Sequence, residues 1–590
     1  MKLRKIYTSA GILLLSLFCI GDAVAKDAKF ETGVSFGSTG ADEPYSSLTD
    51  KDGNYYISGT CRGDVEFAGG ATIKGRGGMD AVIVKYDAEL NFLWARVVGG
   101  SKDDTFERIA VTSAGDIVAV GKISGDVTID GTDQTLSGTQ STDGCIVVYD
   151  KDGNYKSSAQ IKAAGASLCY SVAVDKSGNI FVTGSTVGAT DFGNEKTVTI
   201  EGSSPGTFLA CYNNSLVCQW AIAGSSPVQS YGWAVNFDKE ENILLTGRFG
   251  TTFTITGTDG EALTTAVGSE SSQDTYVAKL SHEGVGQWIT YVTNSNRIDT
   301  RSIDSDSQGN VYIWGHCQSA VTPEGQSPLG FNGNFDSFLI KYSSAGAYLD
   351  GMNLGGSGRD EAKSLFVDAD DNIYVAGNVN GDGSKGGTAV NMNPRGESKD
   401  YTFKGHDGYV AKYNGSTWEL MQLEKTVTPD NANQHEVAWC VTMSPDYNKV
   451  YVTGYFNNGA TVFDGASLTL PFVRDYDIYT VLYSYTLMVK TKTLEPGVAN
   501  EPYYNNIVVD NVEGAVKFEI VSGTLPDGIT LSEDGAFAGT PTKNGSYTFT
   551  VKISDDVSSI QKEYTLVIKS GEGCDVFIVT DQCPDAYIGY

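Results

Sequence analysis

Basic residues are scarce in this chain: 42 lysines and arginines stand against 72 aspartates and glutamates, with four histidines, and the formal net charge is −30. A surface of that sign repels phosphate backbones and anionic lipid, which excludes nucleic acid as an expected partner. Charged residues make up only 19% of the sequence, which argues against both disorder and long solvated helices. Catalytic strings are missing as well. His282, His316, His406 and His435 fall in different repeats or loops, and no GxSxG, HExxH or phosphate-loop string occurs. Beyond the N-terminal stretch, no apolar run approaches the roughly 18 residues that a membrane-spanning helix requires, so no transmembrane segment is expected.

What is present begins with "MKLRKIYTSAGILLLSLFCIGDAVA". Lys2, Arg4 and Lys5 precede a short apolar run, and Ala23-Val24-Ala25 supplies small residues at a cleavage site, so residues 1–25 read as a secretory signal peptide cut near Ala25. The mature chain is then expected to be extracytoplasmic: secreted, periplasmic or on the cell surface. Of ten cysteines, Cys19 leaves with that peptide, and the odd remainder requires at least one free or externally paired thiol. Cys211 and Cys218 flank a hairpin loop, and Cys574 and Cys583 bracket part of the tail. Neither pair has the CxxC spacing of a redox or zinc site, and both are disulfide candidates.

Glycine is abundant, with 70 residues, and tyrosine outnumbers phenylalanine 32 to 24, proportions that suit many short strands joined by turns. The stretch "DKSGNIFVTG" from Asp175 returns as "DKDGNYYISG" from Asp50, "TSAGDIVAVG" from Thr112, "DKEENILLTG" from Asp238, "DSQGNVYIWG" from Asp306, "DADDNIYVAG" from Asp368 and "SPDYNKVYVTG" from Ser444. Around each copy, an alternating strand enters a tight turn and leaves as a second strand. A third opens with Asp80, Asp143, Asp274, Asp336, Asp407 or Asp477, and a fourth follows, as in "FLWARVV". Four antiparallel strands repeated seven times predict a seven-bladed β-propeller over residues 26–487. The last unit lacks a fourth strand, and an orphan near Phe30 to Phe36 is expected to complete it and close the ring.

"GGSGRDEAKSLFVDADDNIYVAG" from Gly355 resembles the SBBP-type β-propeller repeat of bacterial exported proteins, and the resemblance extends over the whole repetitive region. It implies a fold and no activity, because the matched positions are turn and core residues. After Tyr485 the period stops. Leu525–Leu531 and Gly539–Val551 resemble an Ig or cadherin-like domain of bacterial surface proteins, which implies a small Ig-like β-sandwich over 488–570 and leaves 571–590 as an unclassified tail.

The acids have structural readings. "DKDGN" at Asp50 and Asp150 places glycine fourth, inside a hairpin, where a calcium loop needs it sixth; an aspartate that bonds its own turn explains it. The aspartates that open the third strands look like a metal ring, yet a residue repeated in every unit is better read as tying a loop to a strand start. No cofactor or metal is expected.

A different column does not repeat. One position in the first strands reads Tyr45, Glu107, Tyr170, Trp233, Arg301, Lys363 and Trp439, with Asp104, Arg297, Arg359 and His435 nearby. First strands line a propeller's channel, and aromatic faces with a few polar groups suit a sugar or peptide. The expectation is a monomeric, non-enzymatic binding or scaffold protein of a bacterial envelope that holds a glycan or surface protein on these residues. The alternative is a carbohydrate-active enzyme, a glycoside hydrolase or polysaccharide lyase, using acids at the channel mouth.

Overall fold

The computed structural model describes residues 28–570 except 68–69, 267–272, 381–387, 398–399, 404–405, 428–434, 458–460, 464–465, 469–474, 486, 490, 492 and 557–558. The expected signal peptide, the tail, Cys574 and Cys583 lie outside the described residues. All regular structure described is β-strand.

The repeated turn makes the strands local hairpins. Asp50 Oδ1 accepts the amides of Asp52 and Asn54 at 3.0 and 2.9 Å, and Asn54 Nδ2 donates to Asp50 Oδ2 at 2.7 Å. Asp150, Asp238, Asp306 and Asp368 each accept from the residues two and four positions on in the same way. The carboxylate is thus occupied by the turn's own donors. The aspartates of the third strands also bind loops: Asp80 accepts from Arg76 N and Asp336 from Asn332 N, both at 2.6 Å.

Unit one is an antiparallel run of Glu43–Thr49, Tyr55–Cys61, Asp80–Tyr86 and Phe92–Gly100. Among the described residues the same four-strand order recurs from Thr105–Val111, Ser167–Val174, Ser230–Phe237, Ile298–Ser305, Asp360–Val367 and Glu436–Met443. In the last run the fourth place is taken from the other end of the chain: Lys29–Phe36 pairs antiparallel with Asp477–Ser484, which pairs with Lys449–Phe456.

Both faces of each sheet are apolar, because the units pack against one another. Tyr56, Ile83 and Trp94 of unit one meet Phe106, Ala119 and Val147 of unit two. Equivalent clusters join the following units in turn, and Phe36, Tyr451, Ile478 and Leu482 of the last unit meet Tyr55, Ile57 and Val82 of the first. First strands are stitched in the same order. Ile109 N donates to Ser46 Oγ at 3.4 Å, Val235 N to Ser171 Oγ at 3.2 Å, and Thr49 Oγ1 to Met443 O at 2.5 Å.

The edges are covered by a device the sequence pattern did not reveal. In several units the segment after the second strand reaches back to the preceding unit, so that Gly188–Asp191 pairs with Tyr155–Ala163, and Thr252–Thr256 with Cys218–Ser225. An outer edge strand is thereby paired instead of left open.

Residues 497–569 form two facing sheets. One holds Gly497–Val498, Lys517–Gly523, Gly545–Ser554 and Ser559–Lys569, and the other Tyr503–Asn506, Ile529–Leu531 and Ala536–Gly539. Phe537, Phe549, Val551, Leu566 and Ile568 fill the space between them.

The disulfide candidate Cys211–Cys218 is not bridged; both are buried free thiols. A bulge in the hairpin pairs Cys211 with Trp220 and Tyr212 with Cys218. Successive residues of a strand face opposite ways, so Cys211 packs toward unit four and Cys218 toward unit two.

Candidate functional site: the axial cavity

The opening motif ends on glycine in every copy, and the reason is a backbone contact. In each unit the first strand carries a one-residue bulge opposite that glycine: Cys169 pairs with Gly184 and Ser171 with Thr183, leaving Tyr170 unpaired. Gly232 pairs with Gly247 and Ala234 with Thr246, leaving Trp233. A Cβ on Gly247 would lie 1.8 Å from Tyr231 O, and one on Gly184 1.9 Å from Leu168 O. The bulge therefore demands glycine across from it. The residues skipped in the seven registers are Tyr45, Glu107, Tyr170, Trp233, Arg301, Lys363 and Trp439.

All seven line one cavity of about 70 Å³, together with Arg108, Ser364 and Cys440. Each of the seven is half-buried. The rings touch in pairs: Tyr170 and Trp233 lie 4.4 Å apart between centroids, and Tyr45 stands edge-on to Trp439 at 5.6 Å. Cations approach the indoles, Arg301 at 5.3 Å from the Trp233 ring and Lys363 Nζ at 4.2 Å from that of Trp439.

Charge is unevenly distributed. Burial raises the Glu107 carboxyl, against the opposing pull of Thr105 Oγ1, which donates to Glu107 Oε1 at 2.9 Å, and of Lys122, Arg301 and Arg108. Burial likewise lowers Lys363, which Glu361 partly restores through a 2.8 Å ion pair. Arg359 also holds Glu361, at 2.6 Å, and Arg297 holds Asp299 at 2.7 Å. The nearby ions singled out in the sequence are thus partners in ion pairs around the cavity. Asp104 has a different task, accepting Gly100 N and Ser124 N at 3.0 and 2.7 Å to anchor the loop that enters unit two. His406 and His435 are not separate: their strands meet in a parallel bridge and their rings stack at 4.0 Å. His316 is buried beside Asp299, and burial together with Arg301 pushes it down to about 3.

Arg108 is a residue that reading the column alone misses. One place past the bulge, the first strands carry Ser46, Arg108, Ser171, Ala234, Ser302, Ser364 and Cys440. Six are small, and the seventh is an arginine. Arg108 Nη2 lies 3.5 Å from Arg301 O in a unit that is not its neighbour, and Arg108 lines both the cavity and a second one of about 180 Å³ that contains Ser47, Asn236 and Asp304. Its side chain stands between the two cavities. The lone large residue in a column of small ones was the signal that could have found it.

A cavity of this size admits a carboxylate or a few waters, not a whole sugar ring, which needs a pocket of several hundred Å³ if engulfed. A larger ligand would insert one polar group and rest its body on the rings at the mouth.

Family models match two segments, an SBBP beta-propeller repeat over residues 158–193 and a Putative Ig domain over 480–569. An uncharacterized WD repeat-containing protein of Acanthamoeba polyphaga mimivirus is 21% identical over 435 residues, which are 60% of this chain and 31% of that protein. The match thus spans about a third of the relative's length. A periplasmic gluconolactonase structure from Pseudomonas aeruginosa aligns over 68% of this chain and 94% of its own, at 10% identity and a TM-score of 0.32. A SusE-like surface-located polysaccharide-binding protein from Bacteroides thetaiotaomicron aligns over 46% and 48%, at 11% identity and a TM-score of 0.11. Scores of that size carry no argument. The chain is an all-β protein that carries an SBBP β-propeller repeat and, toward its C-terminus, an Ig domain of the matched family.

Proposed function

We propose that residues 26–487 form a seven-bladed β-propeller closed by the strand Lys29–Phe36, that 488–570 are an Ig-like spacer or second contact module, and that the chain is a monomeric, exported binding protein of a bacterial envelope. Its ligand, a glycan or a surface protein, sits at the axial cavity. One observation carries this reading: the residues that fail to repeat are the bulge residues, and they line one cavity. A bulge re-aims a side chain out of the ladder, so these positions are released from the packing that makes the rest of each unit alike.

The enzymatic alternative draws less support. Glu107 is the one carboxylate among the described lining residues, whereas glycoside hydrolysis by general acid and base uses a pair. Of the other acids nearby, Glu361 and Asp299 are held in ion pairs and Glu43 accepts the Tyr45 hydroxyl at 2.9 Å.

The test is a screen of glycans and surface proteins against the purified chain. Any ligand found should bind at least tenfold more weakly to Trp233→Ala and Trp439→Ala, with thermal unfolding nearly unchanged, since a stacked ring contributes about 1 kcal/mol beyond the area it buries. Unchanged affinity in both variants, or turnover of a glycan by the purified protein, overturns the proposal.

A further inference from the structure

The axial cavity is cationic in a strongly acidic protein. Arg108, Arg301 and Lys363 line it with the carboxylate of Glu107, and Lys363 is paired with Glu361 behind it, while the chain as a whole carries −30. Neither arginine forms an ion pair among the described residues. Arg108 Nε, Arg301 Nε and Trp233 Nε1 are buried without an acceptor among the described residues. A buried N–H with no acceptor costs about 1–3 kcal/mol, and more when it belongs to a charged group. The guanidinium groups of Arg108 and Arg301, which line the cavity without a carboxylate partner of their own, are complementary to an anion held there.

The lining narrows the anion's chemistry. Apart from Cys440, it contains no aliphatic or sulfur side chain, so the apolar surface it offers is that of flat aromatic faces. Four aromatic rings and hydroxyl-matching groups, Ser364 and Glu107, stand around the cationic floor instead. Such rings accept the C–H faces of a pyranose, and the polar groups accept its hydroxyls.

Building on the binding role proposed above, we infer that the cavity takes the carboxylate of a uronic acid residue, with its oxygens on Arg108 and Arg301 and the sugar ring against Trp233 and Trp439. Arg108 serves as the floor, because its side chain stands between this cavity and the second one.

Calorimetry on the mature chain tests this with D-glucuronate, neutral D-glucuronamide, D-glucose and sulfate. Glucuronate should bind at least tenfold more tightly than the amide, glucose or sulfate, a comparison that needs no mutation. Arg108→Met and Arg301→Gln should each weaken it a further tenfold. Equal affinity for acid and amide, sulfate binding as tight as glucuronate, or full affinity retained by both folded variants overturns the inference. A neutral glycan whose binding is lost in Trp233→Ala would overturn it while leaving the binding role intact. No binding of any sugar or protein defeats both.

Discussion

At the scale of single residues, the bulge glycines connect the repeat to the cavity. Gly247→Ala places a methyl group 1.8 Å from Tyr231 O and 2.8 Å from the Tyr276 hydroxyl, and backbone cannot yield as a flexible side chain does. The substitution should destabilise the protein by about 1–3 kcal/mol and reorient Trp233, measured by chemical denaturation and by indole fluorescence. Gly330→Ala, exposed and with nothing within 4 Å of the new methyl, should change stability by less than about 0.5 kcal/mol. Glu436 is a second informative residue. It occupies the position where Asp42, Asp104 and Asp360 accept the amide four residues earlier, but one methylene longer, and both of its buried oxygens lack a partner among the described residues. Burial, with Asp407 adding to it, pushes its carboxyl up to about 9. Glu436→Gln should therefore raise the melting temperature at pH 8 and leave it nearly unchanged at pH 5, because each pH unit between the unfolded and the folded pKa costs the protonated native state about 1.4 kcal/mol relative to the unfolded chain.

At the scale of elements, the N-terminal strand joins the two ends of the repetitive region. Lys29–Phe36 covers the edge of Asp477–Ser484, and Phe36 packs with Ile478 and Leu482 against unit one. Deleting residues 28–36 should lower the melting temperature and expose a strand edge that pairs with a second copy. Size-exclusion chromatography would register dimers or larger species, and a deletion variant that stays monomeric with unchanged stability would contradict this account. The segments that pair with fourth strands such as Tyr155–Ala163 and Cys218–Ser225 cover those edges in the same way, which explains why the stretches between second and third strands are long there.

At the scale of the whole molecule, charge governs stability. Burial raises Asp42 to about 6 and Asp104 and Asp360 to about 7. A carboxyl raised in the folded state binds its proton more tightly there than in the unfolded chain, so its contribution is fully present below the unfolded pKa and is lost as pH rises through the folded value. With Glu436 titrating last, stability should decline from about pH 5 to about pH 9. The net charge adds to this trend through self-repulsion, so raising salt from about 20 mM to about 500 mM should recover part of the loss at pH 8, since screening acts within roughly 10 Å. A melting temperature that climbs with pH across that window would refute the assignment.

The sequence by itself determined the all-β class, the repeat and the Ig domain, because turn chemistry and strand alternation are local: the Asp and Asn of "DKSGN" bond each other four residues apart, whatever lies beyond. The non-repeating column was also legible, since a position exempt from packing varies while its neighbours do not. The tertiary structure decided what depends on register and on distant strands meeting. The bulge puts those seven side chains around one cavity and turns Cys211 and Cys218 to opposite faces. The meeting of His406 with His435, and the reach of Arg108 to Arg301 across 193 positions of sequence, follow from how units stack, which no local pattern encodes.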